Sequence, residues 1–345
     1  MTKPRVLVIQ TGGTLAMAVD ADAPEATLAP SAARQDLVEI VPTLSEIADI
    51  ETEYLFNLDS ADMQPSHWIE LAKRVHAGLS RSDITGIVVT HGTDTMSYTA
   101  SALSFLLGPV PRPVVLTGAQ RPLGDVRTDA RANLVEATIG ATLDVPEVVV
   151  AFGSRLMRGC RTLKIDAWAF DAFDSPGAPP LVELGVGVSV ASHVRRPAPL
   201  RPLDTRLEQR VLAVRVFPGL DPKLVIGAVR AGVRGLVLEG YGTGNLPNLA
   251  GSSLIPAIEE SAERGVPIVI VSQCARGHVD LERYEGGAAA KWAGAIDGGD
   301  MTVEAAVAKL MVALGRYDEP SKVRGYMLAD VAGEREAVVA SAFDD

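Results

Sequence analysis

Residues 84–96 read ITGIVVTHGTDTM, and their order decides the fold. The first half, Ile84–Val89, is too short for an ordinary helix. Its β-branched residues suit a strand buried on both faces. The second half gathers His91, Thr93, Asp94 and Thr95 within five positions, and a helical apolar pattern follows over 97–107. A buried strand, a polar turn and a helix in succession form the repeating unit of a parallel α/β sheet. The same kind of apolar run recurs at Arg5–Gln10, Tyr54–Phe56, Val114–Leu116 and Val148–Phe152. Trp68, Leu71, Ala72, Val75 and Leu79 share one helical face, with Ser66 placed as N-cap. These runs predict a doubly wound α/β sheet.

Over 191–210, ASHVRRPAPLRPLDTRLEQR, apolar periodicity gives way to proline and arginine, which predicts a linker. The pattern resumes with strands at Val211–Val216, Leu236–Leu238 and Ile268–Val271, and helices over 221–232, 252–264 and 302–314. The expected organisation is a larger N-terminal domain over 1–190 carrying most of the active site, the linker, and a smaller parallel α/β domain over 211–345.

At 345 residues and 47% hydrophobic content the chain has ample material for two cores. Its 43 acidic residues outnumber 32 basic ones, giving a charge of −11, which argues against nucleic acid as the main partner. No apolar run approaches the length of a bilayer, and residues 1–10 lack a secretory signal, so a cytoplasmic location with no membrane partner is expected. Cys160 and Cys274 have neither disulfide-framework nor metal-ligand spacing, and both read as reduced packing residues. The five histidines form no metal motif, so no metal is expected.

Four polar clusters follow four of the first-half strands: TGGT at 11–14, NLDS at 57–60, HGTDT at 91–95 and TGAQRP at 117–122. In an open parallel sheet the strands' carboxyl ends share one edge, where ligand crevices form. Each cluster also has a plain structural use. Gly12 and Gly13 suit a tight turn, Asp94 and Thr95 suit helix caps, and His91 reads as a structural histidine, with no G-x-S-x-G elbow around it. TGGT is neither a phosphate-binding P-loop nor a G-x-G-x-x-G fingerprint, so a nucleotide cofactor is not expected. Lys164, in RGCRTLKIDAW, is either an ordinary solvated lysine or the base that a threonine nucleophile requires.

Taken together, TGGT, DSADM, HGTDTM, TGAQRP, RTLKIDAWAFDAFDSP, YGTGN and GAIDGGDMTVEAAVAKL resemble the bacterial-type L-asparaginases. HGTDTMSYTASALSF and the last two segments are most similar to the cytosolic type I branch, and the likeness runs from about residue 5 to about residue 330. It implies hydrolysis of L-asparagine to L-aspartate and ammonia through an acyl-enzyme, with no cofactor and no metal. By the same resemblance Thr14 attacks the amide carbon, while Thr93, Asp94 and Lys164 move protons and activate water. The order in which the two threonines act is left open. Ser60, beside Asp59, matches the group that holds the substrate α-carboxylate, and Asp94 the acceptor of its α-ammonium. The Thr93 N–H and the Gly118–Ala119 strand end match the oxyanion donors. Asn245 matches a residue that reaches a neighbouring protomer's site, which implies a homodimer or homotetramer.

Two departures stand out. The family carries a tyrosine on the lid after TGGT, whereas AMAVDADAPEATLAPSAAR, residues 16–34, has none and the first tyrosine is Tyr54. Type I relatives can carry a regulatory asparagine site near YGTGN and SQC at 272–274. Asn245 and Cys274 match that neighbourhood, but Glu239 stands where an arginine would hold a carboxylate, so hyperbolic saturation is expected. Two alternatives stand beside the leading one: an amidase that accepts or prefers glutamine, one methylene longer, and a catalytically weak amino-acid-binding protein on the same fold. An ammonia-supplying component of a tRNA-dependent amidotransferase is disfavoured, because no added domain precedes the first strand and no basic surface is evident.

Overall fold

The computed structural model describes residues 3–13, 15, 17–19, 28–30 and 37–336. The chain divides into two compact units, Met1–Thr205 and Arg206–Asp345.

In the first unit the strands are β1 (Arg5–Gly12), β2 (Met17–Val19), β3 (Leu28–Pro30), β4 (Asp49–Leu58), β5 (Gly86–Thr90), β6 (Val114–Thr117), β7 (Val148–Phe152), β8 (Arg155–Arg158), β9 (Leu163–Lys164), β10 (Phe173–Asp174), β11 (Val182–Leu184) and β12 (Val188–Val190). The helices are α1 (Leu37–Ile40), α2 (Leu44–Ile47), α3 (Pro65–Ser80), α4 (Met96–Leu107) and α5 (Ala130–Gly140). The main sheet has the order β12-β11-β8-β7-β6-β5-β1-β4. From β4 to β7 all pairings are parallel, and β8, β11 and β12 extend the sheet antiparallel.

Alternation along the strands assigns the two faces. Val6, Val8, Val88, Val115 and Val149 pack with Leu44, Leu134 and Ala137 of α2 and α5. The other face meets α3, because a Cβ at Gly78 would press on Leu7 and Ile87. Helix α4 lies beside α3. Helices cover both faces, as a doubly wound sheet requires. The crossovers through α3 and α4 share one face, while the next step in the same direction, through α5, lies on the opposite face. It therefore has the opposite hand, an exception to the right-handed rule for parallel connections.

Strands β8, β11 and β12 were not expected. They are three or four residues long, too short to show an alternating pattern. The β7–β8 turn needs Gly153 and Ser154 at φ 58° and 59°, and Ser154 is held there by Glu136, which accepts from its N–H at 3.0 Å and its hydroxyl at 2.7 Å. The start of α3 also differs: Gln64, not Ser66, is the capping residue, and its N–H donates to His67 Nδ1 at 3.0 Å. Pro65 fixes the first turn two positions earlier than serine capping predicts. Cys160 is buried as expected, but Cys274 is exposed.

The second unit has a four-stranded parallel sheet, β13 (Val211–Arg215), β14 (Gly235–Gly240), β15 (Ile268–Ser272) and β16 (Ile296–Asp297), in that order. Helices α6 (Pro222–Arg230), α7 (Ile255–Glu263) and α8 (Glu285–Trp292) bury Val225, Ile258 and Ala290 against Leu236, Leu238 and Ile270. Helix α9 (Val303–Arg316), capped by the Thr302 side chain, covers the other face, and α10 (Pro320–Leu328) follows. In α9 the fully buried Lys309 pairs with the equally buried Glu334 and donates to Met327 O at 3.0 Å and Ala329 O at 2.5 Å. Glu334 also accepts from the N–H groups of Val331 and Ala332. The pair thereby ties residues 327–334 to the helix.

Removing one member of such a pair strands the other charge out of water. Lys309→Met is expected to lower the unfolding free energy by about 3–5 kcal/mol, and Lys309→Met/Glu334→Leu by less than either single change. Urea denaturation checks this; an unchanged midpoint for Lys309→Met contradicts it.

Candidate active site

After β1 the chain adds β4 on one side of it, then returns to add β5 on the other. The order reverses at β1, so the crevice of the sheet opens outside the carboxyl ends of β1 and β5. TGG and HGTDT stand at those two ends. The loops meet backbone to backbone. A Cβ at Gly13 would overlap Gly92, one at Gly92 would overlap the Ser60 side chain, and one at Gly118 would overlap His91 O. Hydrogen bonds lock the approach: Thr11 Oγ1 donates to Thr90 O, Gly13 N to Leu58 O and His91 N to Thr117 O, each at 2.8 Å.

Lys164 comes from the β9–β10 hairpin and is no solvated surface lysine. Its Nζ donates to Thr93 Oγ1 at 2.8 Å and to Asp94 Oδ1 at 2.6 Å. Its side chain is 20% exposed against 63% for Asp94, so the ion pair lies at the rim of the crevice, while Thr93 is buried. Thr95 holds the N-cap position of α4 but makes no side-chain cap bond, and Asp94 lies one residue before it. Thr95 Oγ1 instead donates to Ser60 O at 2.7 Å, and Asp94 N donates to Ser60 Oγ at 3.3 Å. Asp59 Oδ1 accepts from Ala61 N at 2.9 Å, closing the short turn that presents Ser60. Ala119 is buried just beyond β6. Thr14 lies outside the described residues, as do all but 17–19 and 28–30 of the proposed lid segment over 16–34.

His91 is fully buried and has a structural job. Burial pushes its imidazole down to about 4, with the Gly92 carbonyl opposing the shift. The neutral ring donates from Nδ1 to Gly92 O at 2.7 Å and accepts at Nε2 from Thr99 Oγ1, whose oxygen accepts from Trp68 Nε1. This chain ties α3 and α4 to the strand end that carries Thr93.

Gln120, Asp129 and Asn133 were missed by reading the sequence. Thr93 Oγ1 donates to Gln120 Oε1 at 3.2 Å, and the Gln120 N–H donates to Asp129. TGAQ pointed toward Gln120; nothing in the sequence pointed to residues nine and thirteen positions further on. In the second unit, Asn245 closes a tight loop with Tyr241 through paired backbone bonds and accepts from Leu246 N. Glu239 lies 4.0 Å from Arg215 Nε.

In the first unit, then, a buried hydroxyl is in contact with an amine, and the amine is in contact with a carboxylate at the rim of a strand-end crevice. Such a set can transfer a proton and grip a small charged ligand. Residues 5–196 match the family described as Asparaginase, N-terminal, and residues 210–327 match the Glutaminase/Asparaginase C-terminal domain. The chain belongs to the asparaginase family. It is 39% identical over 332 residues to a protein named L-asparaginase from Thermococcus kodakarensis, covering 96% of this chain and 98% of that one. It is 36% identical over 342 residues to a protein from Pyrococcus horikoshii named as one component of Glutamyl-tRNA(Gln) amidotransferase, covering 96% and 76%. The solved L-asparaginase I from Vibrio cholerae is similar with a TM-score of 0.83 at 32% identity, covering 97% of this chain and 100% of that one.

The lowered His91 value fixes a sign. Between about pH 6.5 and 4 the unfolded chain binds a proton at this position that the folded chain refuses, so stability falls on acidification through that window. His91→Gln is expected to flatten that part of the curve of stability against pH; a variant curve as steep as wild type contradicts it.

Proposed function

We propose that this protein is an amidohydrolase that converts L-asparagine to L-aspartate and ammonia through a threonine nucleophile. The observation that carries the proposal is the three-residue contact in which Lys164 Nζ touches both Thr93 Oγ1 and Asp94 Oδ1. Family membership and the L-asparaginases that match along nearly their whole length support it.

In this reading the Thr14 hydroxyl attacks the side-chain amide carbon. A C–O bond forms, the C–N bond breaks, and the hydroxyl proton leaves with ammonia, giving an acyl-enzyme. Water then attacks the ester carbon. The Thr93 oxygen, which accepts from Lys164 Nζ, also accepts from this water and orients it. Lys164 in its neutral form takes one water proton and returns it to the Thr14 oxygen as the acyl C–O bond breaks, which frees aspartate and regenerates the Thr14 hydroxyl. Asp94 stabilises the ammonium that forms on Lys164. The second Asp94 oxygen takes the substrate α-ammonium, and the Ser60 hydroxyl, whose oxygen already accepts from Asp94 N, donates to the α-carboxylate. Backbone N–H groups at Thr93 and Ala119 stabilise the oxyanion; losing one such donor typically raises a barrier by about 3–4 kcal/mol. Without the lid tyrosine, Lys164 is the base nearest the chemistry. The larger unit carries most of this machinery. Two or four copies assemble in the cytoplasm, with Asn245 of one copy serving the site of another.

Ammonia release from asparagine, from glutamine and without substrate tests the assignment. Thr14→Ala and Thr93→Ala are expected to abolish turnover, and Lys164→Met to reduce kcat far more than it raises KM. Release from wild type no faster than from Thr14→Ala would sink the proposal. A second expectation comes from Glu239, beside Arg215: the negative charge of Glu239 opposes the approach of an effector's carboxylate at that strand end. Asparagine saturation of the purified protein should be hyperbolic, and a sigmoidal curve would refute that point.

A further inference from the structure

Gln120 bridges two loops of the candidate site. Its Nε2 donates to Ala169 O, in the turn of the Lys164 hairpin, at 3.2 Å, and its Oε1 lies 3.2 Å from Thr93 Oγ1. A carbonyl oxygen only accepts, so the amide can be seated one way: nitrogen toward Ala169 and oxygen toward Thr93. Oε1 also only accepts, so the Thr93 proton must point at Gln120. The Thr93 lone pairs are then left to face Lys164 Nζ at 2.8 Å.

The Gln120 backbone is held with equal definition. Both oxygens of Asp129 accept from Gln120 N, at 3.1 and 2.9 Å, and Oδ1 also accepts from Arg121 N at 3.1 Å. Asn133 Nδ2 donates to Asp129 Oδ2 at 3.1 Å and to Gly118 O at 2.9 Å. Asp129 and Asn133 are 8% and 4% exposed. A carboxylate withdrawn from water is costly unless fully hydrogen-bonded, and here its partners are N–H groups that fix the loop carrying Gln120.

We propose that Gln120 is a positioning residue that sets the direction of the Thr93 hydroxyl, and that the buried Asp129–Asn133 pair is the brace that holds Gln120 in place. This rests on the reading in which Thr93 and Lys164 take part in the reaction. Asp129 holds the backbone of the loop that carries Gln120, so the part of its effect on turnover that travels through the Gln120 side chain should disappear once that amide is gone.

The test measures kcat and KM for asparagine in the full-length protein and its variants Thr93→Ala, Gln120→Met, Asp129→Asn and Gln120→Met/Asp129→Asn. Gln120→Met is expected to lower kcat roughly 10- to 100-fold, with KM within about twofold of wild type. Asp129→Asn should lower kcat in the same direction, and in the double variant the added loss should be smaller than the loss Asp129→Asn causes in the wild-type background. Wild-type kcat in Gln120→Met, with Thr93→Ala inactive, overturns the positioning role and leaves the functional reading intact. Wild-type turnover in Thr93→Ala overturns the reading itself. Additive losses in the double variant overturn the brace. Where Asp129→Asn does not fold, the same cycle is run with Asn133→Ala, which leaves the Asp129 bonds to the backbone in place.

Discussion

The candidate site depends on one steric constraint: four loops approach so closely that no side chain fits between them. Gly13 lies against Gly92, Gly92 against Ser60, and Gly118 against the His91 carbonyl. Gly13 also adopts φ 84°, a conformation that L side chains rarely take. These contacts bring the ends of β1, β4, β5 and β6 within reach of one another, so short side chains suffice to assemble the site. Thr93 and Ser60 need no long, floppy reach, which limits the entropy lost in holding them.

The parallel sheet alone would leave this assembly without its amine. Lys164 arrives on a separate hairpin that the chain forms between β8 and β11, and that hairpin is fastened at several points. Arg155 donates to Asp171 at 2.6 Å, to Asp174 at 3.2 Å and to Phe173 O at 3.0 Å. Phe173 packs at a tilt of 51° against Phe152 of β7 with ring centroids 4.8 Å apart. Arg127, from the loop before α5, lies over the Phe170 ring at 5.3 Å. The amine that the proposed reaction uses as its base is thus carried on a supported turn, as an aim good to a fraction of an ångström requires.

Charge is placed differently in the site and in the scaffold. Lys309 with Glu334, and Glu147 with Arg158, are buried or nearly so and hold segments of chain together. Asp94, by contrast, is largely exposed although its partner Lys164 is not. A buried pair is costly to leave unmade and so acts as a rivet. A pair open on one side keeps a carboxylate oxygen available to a ligand.

From the sequence alone, what could be read was whatever local periodicity and chain order encode. The buried strands, the helices between them, the polar clusters at the strand ends and the motifs that match the asparaginase family all belong to that class, because burial on both faces of a parallel strand leaves a continuous apolar run. Strands β8, β11 and β12 were invisible because three or four residues carry no period, and their pairing is a property of partners far along the chain. The same reason hid Gln120, Asp129 and Asn133. A glutamine, an aspartate and an asparagine in a loop look like any solvated turn until the crossover through α5 brings a buried carboxylate onto the TGAQ backbone. Even Lys164 was one lysine among several in the sequence. Only the folded hairpin set its nitrogen against Thr93 and Asp94, about seventy residues away in the chain, where contact rather than composition gives it a role.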